Sequence, residues 1–168
     1  MKFNLRPFRK SDKNNLVRYA NNKNIAANLT DKFPHPYTQE HAQYFIENAM
    51  KHSPANVLAI TIDDEVVGGI GIHPQDDIQR KNAELGYWLA EEHWGKGIIS
   101  AAIPLMVEYG FKNFDIDRIF ARPFGTNIAS QKVLEKSGFK LEARFEKTLL
   151  KNGVQLDELV YAIRRQIE

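Results

Sequence analysis

Apolar residues in this chain alternate with polar ones in some stretches and recur every three to four positions in others. The switches between these two periods mark its elements. Lys2 to Arg6 alternates, with Phe3 and Leu5 on one side, and predicts a short strand that Pro7 ends or leaves at a sheet edge. Ser11 or Asp12 can cap a helix carrying Leu16, Val17, Tyr19 and Ala20, and Asn21, Asn22, Asn24 and Asn28 weaken that helix. The stretch LTDKFPHPYT holds Pro34 and Pro36 and reads as an ordered loop. Thr38 is a good N-cap for a helix with Ala42, Phe45, Ile46 and Ala49 on its buried side.

The second half of the chain reads more regularly. Asn56 to Ile62 and Glu65 to His73 form a hairpin about Asp63-Asp64, and Gly68, Gly69 and Gly71 imply a bulge or a close approach there. Ala83 to Ala90 is a strand, followed by a turn with Gly95 and Gly97 and a helix to about Phe111, in which Pro104 removes one backbone bond. Arg118 to Arg122 is a strand and Thr126 to Ser137 a helix, with Gly138 as its C-cap. Phe139 to Leu149 and Gln155 to Ile163 make a final hairpin about Lys151-Asn152-Gly153. This order implies one mixed α/β domain over residues 1–168.

Composition narrows the function classes. The chain has 168 residues, 43% hydrophobic and 26% charged, which is ordinary for a soluble domain with a real core. A net charge of +2 and the lack of a Lys/Arg run argue against nucleic acid. With no cysteine there is no disulfide, zinc-thiolate site or cysteine nucleophile. His35, His41, His52, His73 and His93 show no metal-ligand spacing, so no metal is expected. No apolar run approaches the roughly 20 residues that span a bilayer, and the N-terminus lacks a signal-peptide core, so a cytoplasmic protein is expected.

The candidate chemistry centres on Asn82 to Phe111. A glycine turn that opens a helix leaves several N–H groups without partners, at the positive end of the helix dipole, which suits a phosphate or pyrophosphate. Lys96 adds a cation and Ser100 a hydroxyl, while Glu84 on the incoming strand is a candidate general base or a salt-bridged sheet carboxylate. The turn is neither a P-loop, which needs Gly-x-x-x-x-Gly-Lys-Ser/Thr, nor a dinucleotide fingerprint, which needs a third glycine. Two glycines alone are equally well explained as a structural turn. In NIASQKVLEKSGF, Asn127 stands at a helix N-terminus with Ser130 three residues on; each taken alone reads as an ordinary cap and a surface residue. Trp94 reads as packing under the turn. Phe33, Tyr37 and Tyr87 are candidates to line a pocket or the core.

The strand ELGYWL, the turn EHWGKG and the segment NIASQKVLEKSGF followed by Lys140 occur together in one order and spacing. In this the chain resembles the GNAT family of N-acetyltransferases. The segments LRPFRKSD and FPHPYT resemble the branch of the ribosomal-protein N-terminal (alanine) acetyltransferases. The resemblance implies the GNAT acyl-CoA N-acyltransferase fold, a twisted mixed sheet of about seven strands with helices on both faces. It also implies acetyl-CoA as cosubstrate. The pyrophosphate would lie on the turn from His93 to Ile98 (His93, Trp94, Gly95, Lys96, Gly97, Ile98), with Ser100 as an extra contact. The pantetheine arm would pair near Leu89 and Ala90 as an added strand, and Asn127 would bond that arm or an ordered water.

On this reading acetyl passes directly to a primary amine in a ternary complex. Glu84 acts as base, directly or through water, and Ser130 donates to the thiolate, because the Tyr that many members carry is replaced by Leu134. The resemblance departs at Glu92, where members often have Gln or Arg; a carboxylate there must point away from a pyrophosphate. The acceptor is either a protein N-terminus or a small-molecule amine, and the chain a monomer or homodimer. A different class of reading is a non-catalytic, regulatory CoA-binding module.

Overall fold

The computed structural model describes residues 1–167. Its elements run β1 (Asn4–Pro7), α1 (Lys13–Ala20), α2 (Lys23–Ala26), α3 (Gln39–Ala49), β2 (Val57–Ile62), β3 (Glu65–Pro74), β4 (Asn82–Leu89), α4 (Ile98–Asn113), β5 (Arg118–Ala121), α5 (Ile128–Lys136), β6 (Lys140–Lys151) and β7 (Val154–Arg164). The sheet has seven strands in the order β1-β2-β3-β4-β5-β7-β6. It is mixed, because β4 and β5 run parallel while β1–β2, β2–β3, β5–β7 and β6–β7 run antiparallel. The chain divides into two compact units: Met1–Gly71 with Tyr87–Ala102, and Ile72–Gly86 with the chain from Ile103 onward.

In the first unit, α1 and α3 lay Leu16, Ala20, Ala42, Ile46 and Ala49 against Phe8, Ala59, Val66 and Trp88 in one buried cluster. Thr38 caps α3 as its sequence implies, accepting from the His41 amide. The asparagines that weaken α1 end it: Asn22 then caps α2 by accepting from the Asn24 amide. In the β2–β3 turn Asp63 and Asp64 both take positive φ, 49° and 65°. The register slips between Ile60 and Thr61 where β3 bulges. The glycine run is explained by close approach, since a Cβ on Gly68 would stand 2.5 Å from the Trp88 carbonyl oxygen.

The expected cap of α1 is not made by a side chain. Asp12 occupies the N-cap position without a side-chain cap bond. It is 5% exposed, and its carboxylate accepts two bonds from the Arg6 guanidinium, at 2.9 and 2.8 Å, and one from the Arg9 amide at 2.7 Å. The planar fork of Arg6, six residues back, and the Arg9 amide take the carboxylate in place of the α1 amides.

In the second unit Ile72, Ile103, Met106, Ile116, Ile119, Leu134 and Leu159 are fully buried. A Cβ on Gly110 of α4 would come within 3.2 Å of Ile119 and 3.3 Å of Ile72, so this helix lies close on two strands. α4 continues through Pro104. Gly138, at φ +88°, follows the last turn of α5 as predicted. The Phe139 amide bonds back to the Leu134 carbonyl, which closes the helix end. Asn152 and Gly153, at φ 50° and 76°, form the β6–β7 turn.

Replacing Asp12 by Ala leaves a nearly buried guanidinium with only Asp64 and backbone oxygens. This variant should lose about 3 kcal/mol of stability, the cost of breaking a buried ion pair. Calorimetric unfolding measures it, and a loss below about 1 kcal/mol would rank the pair with surface ion pairs.

Candidate active site

In the first unit β4 gives way to α4 through a tightly bonded turn. The Ala90 amide donates to Val67 on β3 at 2.7 Å, the His93 amide to Ala90 at 2.9 Å, and the Trp94 amide to Glu91 at 3.0 Å. Gly95 and Gly97 follow at φ +70° and +77°, and a Cβ on either would meet nothing within 4 Å. Their requirement is therefore conformational and not one of space. The first bond into α4 runs from the Ala101 amide to the Gly97 carbonyl at 3.1 Å. The amides from Gly95 to Ser100 precede that bond and, among the described residues, donate to no backbone acceptor, which suits an anion at a helix N-terminus.

This sharpens the sequence expectation. Of the predicted cofactor contacts, Gly95, Lys96, Gly97, Ile98 and Ser100 carry available amides. Those of Ala90, His93 and Trp94 are occupied within the protein. Trp94 does not pack under the turn: it is 43% exposed, and its indole N–H donates to the Leu89 carbonyl at 2.8 Å. That bond ties the end of β4 to the start of the turn, and the carbonyl keeps one lone pair for a further donor. Ile98 is 2% exposed and anchors the turn from below. Glu91 accepts from Asn22 at 2.7 Å and from Asn24 at 3.0 Å, fastening the turn to α2. The Glu92 side chain is 61% exposed and lies 3.5 Å from His93 Nε2.

Phe33, Tyr37 and Trp88 form one aromatic contact group in this unit, with ring centroids 5.3 Å and 5.8 Å apart. Tyr37 is 5% exposed, and burial pushes its phenol up to about 12, so it stays neutral.

The second unit holds the other predicted residues. Glu84 pairs across the parallel ladder with Phe120. Its carboxylate is gripped on both oxygens by Arg122, from Nε at 3.0 Å and from Nη2 at 3.2 Å. Each oxygen keeps a second lone pair, so Glu84 is oriented and still able to accept. Asn127 caps α5, its Oδ1 accepting from the Ser130 amide at 3.2 Å. The cap uses only the oxygen; among the described residues the Asn127 side-chain N–H groups carry no bond, so capping and ligand contact are compatible. Gln131 donates to the Phe124 and Gly125 carbonyls at 3.2 and 3.1 Å and holds the loop before α5.

Arg122, Gln131 and Glu158 are the residues that sequence reasoning missed. Strand alternation would have put Arg122 on the Phe120 face, beside Glu84. Glu158 shows only once the β7 register is known. Among the described residues no group of three or more His, Cys, Asp and Glu could hold a metal, and no helix is long and apolar enough to cross a membrane.

Comparisons with known proteins place the chain in a family. The profile of the acetyltransferase (GNAT) domain family matches residues 2–140. The uncharacterized N-acetyltransferase YoaA of Bacillus subtilis (strain 168) is 38% identical over 99 residues, 59% of this chain and 55% of YoaA. The ribosomal-protein-serine acetyltransferase of Escherichia coli (strain K12) is 31% identical over 117 residues, 68% of this chain and 65% of that one. Among solved structures, RimL, a ribosomal L7/L12 alpha-N-protein acetyltransferase in complex with coenzyme A, matches with a TM-score of 0.84 and 25% identity, over 98% of this chain and 94% of RimL. The chain spans about half the length, 55% to 56%, of the first three curated relatives it matches.

Gly97→Ala puts a side chain at positive φ, at a cost of about 1 kcal/mol. It should weaken coenzyme A binding, read by titration calorimetry, by more than the small shift in unfolding temperature explains. Unchanged affinity would remove the turn from the binding site.

Proposed function

From membership of the GNAT acetyltransferase family, to which this chain belongs, we propose that it moves acetyl from acetyl-CoA to a primary amine by direct attack in a ternary complex. The observation that carries this reading is the run of unpaired amides from Gly95 to Ser100, opening α4 at the end of β4. These amides fit a pyrophosphate, with Lys96 adding charge. The pantetheine arm would be held along the end of β4 near Leu89 and Ala90, where the Ala90 amide is occupied and the Leu89 carbonyl keeps a lone pair to accept from it. Acetyl-CoA supplies the activated thioester.

The chain's own residues supply proton handling. An alkylammonium must lose a proton before it attacks, and Glu84, held in one orientation by Arg122, is the base that takes it, directly or through a water. Ser130 is the hydroxyl assigned to the leaving sulfur, on a helix whose first turn Asn127 fixes. The chain has no cysteine, so no acyl-cysteine intermediate forms on it. The acceptor is a protein N-terminal amine or a small-molecule amine. We assign the whole chain to one catalytic domain acting as a monomer or homodimer in the cytoplasm.

The test is thiol release from acetyl-CoA against a panel of N-terminal peptides and small amines, and the absence of cysteine keeps the protein's own background low. Turnover with one class names the acceptor. Glu84→Gln should lower kcat by about 100-fold and leave the acetyl-CoA dissociation constant unchanged. Equal rates in the variant would remove Glu84 as base. Tight acetyl-CoA binding with no turnover across the panel would favour a regulatory CoA-binding module.

A further inference from the structure

We propose that Glu158 is the residue that receives the acceptor's ammonium group, and that the acceptor is a primary amine on an alkyl chain. The inference rests on the acetyltransferase reading and concerns which carboxylate recognises the second substrate.

Two carboxylates share one guanidinium. Arg122 gives Glu84 two bonds, at 3.0 and 3.2 Å. Its Nη1 stands 3.9 Å from Glu158, beyond hydrogen-bond reach. Among the described residues Glu158 accepts no hydrogen bond, although its side chain is only 18% exposed. A carboxylate drawn so far from water ordinarily has donors, because burying it without them is costly. Glu158 is thus positioned to accept from a donor that comes with a ligand.

The neighbours specify that donor. Along β7, Glu158 pairs with Phe145 of β6 on one side and bridges to Phe124 on the other. Phe145 is 47% exposed. Phe145, half exposed and opposite Glu158 on the ladder, offers apolar surface to a cation with a hydrocarbon body, while Phe124 on the other side is part of the buried core.

Charge distribution points the same way. Alternation puts Arg118, Phe120 and Arg122 on one sheet face. At one end of that strip Glu142 accepts from Arg118 at 2.6 Å and from Arg164 at 3.0 Å, two cations on one carboxylate. The Arg118 bond, with that of Arg164, holds the Glu142 carboxyl below its ordinary value. At the other end Glu84 and Glu158 face Arg122 alone. The unbalanced negative charge therefore lies at Glu158.

The test uses the full-length protein saturated with coenzyme A, with backbone amide NMR during titration with spermidine and, separately, n-butylammonium. Saturable shifts are expected at Phe124, Phe145 and Glu158. Glu158→Gln should weaken both probes by at least about tenfold, the loss of one charge-assisted bond. Glu158→Asp, which keeps the charge, should retain part of the affinity, and Glu146→Gln, which removes an exposed charge from β6, should leave it unchanged. Wild-type affinity in Glu158→Gln, shifts confined to other residues, or no saturable binding of either probe would overturn the proposal. Calorimetry with coenzyme A judges the acetyltransferase reading separately: if coenzyme A does not bind, that reading fails, and the same titration on the protein alone still decides Glu158.

Discussion

The constraint on which the candidate site depends is the passage from β4 into α4. The chain must leave a strand, reverse, and start a helix without satisfying the amides at the helix start. Gly95 and Gly97 make the positive φ angles accessible, but fixing that conformation costs backbone entropy, and several donors are left unpaired. The surrounding bonds over-determine it. Ala90 is tied to Val67, Trp94 to Leu89 through its indole, and Glu91 to Asn22 and Asn24, while Ile98 is buried beneath. Each bond contributes only about 1 kcal/mol net. Together they mean that the amides are oriented during folding, so an anion entering the turn finds its donors already in place.

Glu84 and Glu158 show how one cation can separate two like groups. A guanidinium has a planar fork that matches one carboxylate, and Glu84 takes it. Glu158 keeps only the field of the same charge at 3.9 Å. Glu84 is thereby fixed in direction, as a base must be to meet a moving proton. Glu158 retains its acceptor capacity, as a recognition group must. Substituting Lys for Arg122 would keep the charge and lose the fork, so the difference between the two carboxylates rests on Arg122 being arginine.

Much of the fold was legible because local chemistry dictates it. Thr38 caps α3, Gly138 closes α5, and Asp63-Asp64 and Asn152-Gly153 turn the two hairpins, each through a preference that acts within a few residues. The glycine turn was legible for the same reason. What sequence reasoning missed depends on long-range register. Asp12 reads as a helix cap until Arg6 is brought alongside it. Trp94 reads as buried because it is large and apolar, yet its indole N–H finds the Leu89 carbonyl and leaves the ring at the surface. Arg122 and Glu158 become partners only after β4, β5 and β7 are set in order, and no spacing in the chain encodes that order.

Unused hydrogen-bonding capacity separates the functional groups from the structural ones, provided that access is considered with it. Asn56 Oδ1 and His93 Nδ1 are buried without partners. Both atoms are shielded from solvent, so neither is presented at the surface as an open group. The turn around Gly95 to Ser100, in which only Ile98 is buried, Asn127 and Glu158 differ in being residues that solvent reaches or partly reaches. Local rules do not require any of them to stay open, since a side-chain cap, a second Asn127 partner or a closer Arg122 would satisfy them. Their polarity differs within each unit: the turn of the first offers donors, and in the second Asn127 offers donors and Glu158 an acceptor. Within the first unit, open donors at a helix start suit an anion; within the second, a carboxylate that accepts no hydrogen bond among the described residues suits a cationic donor.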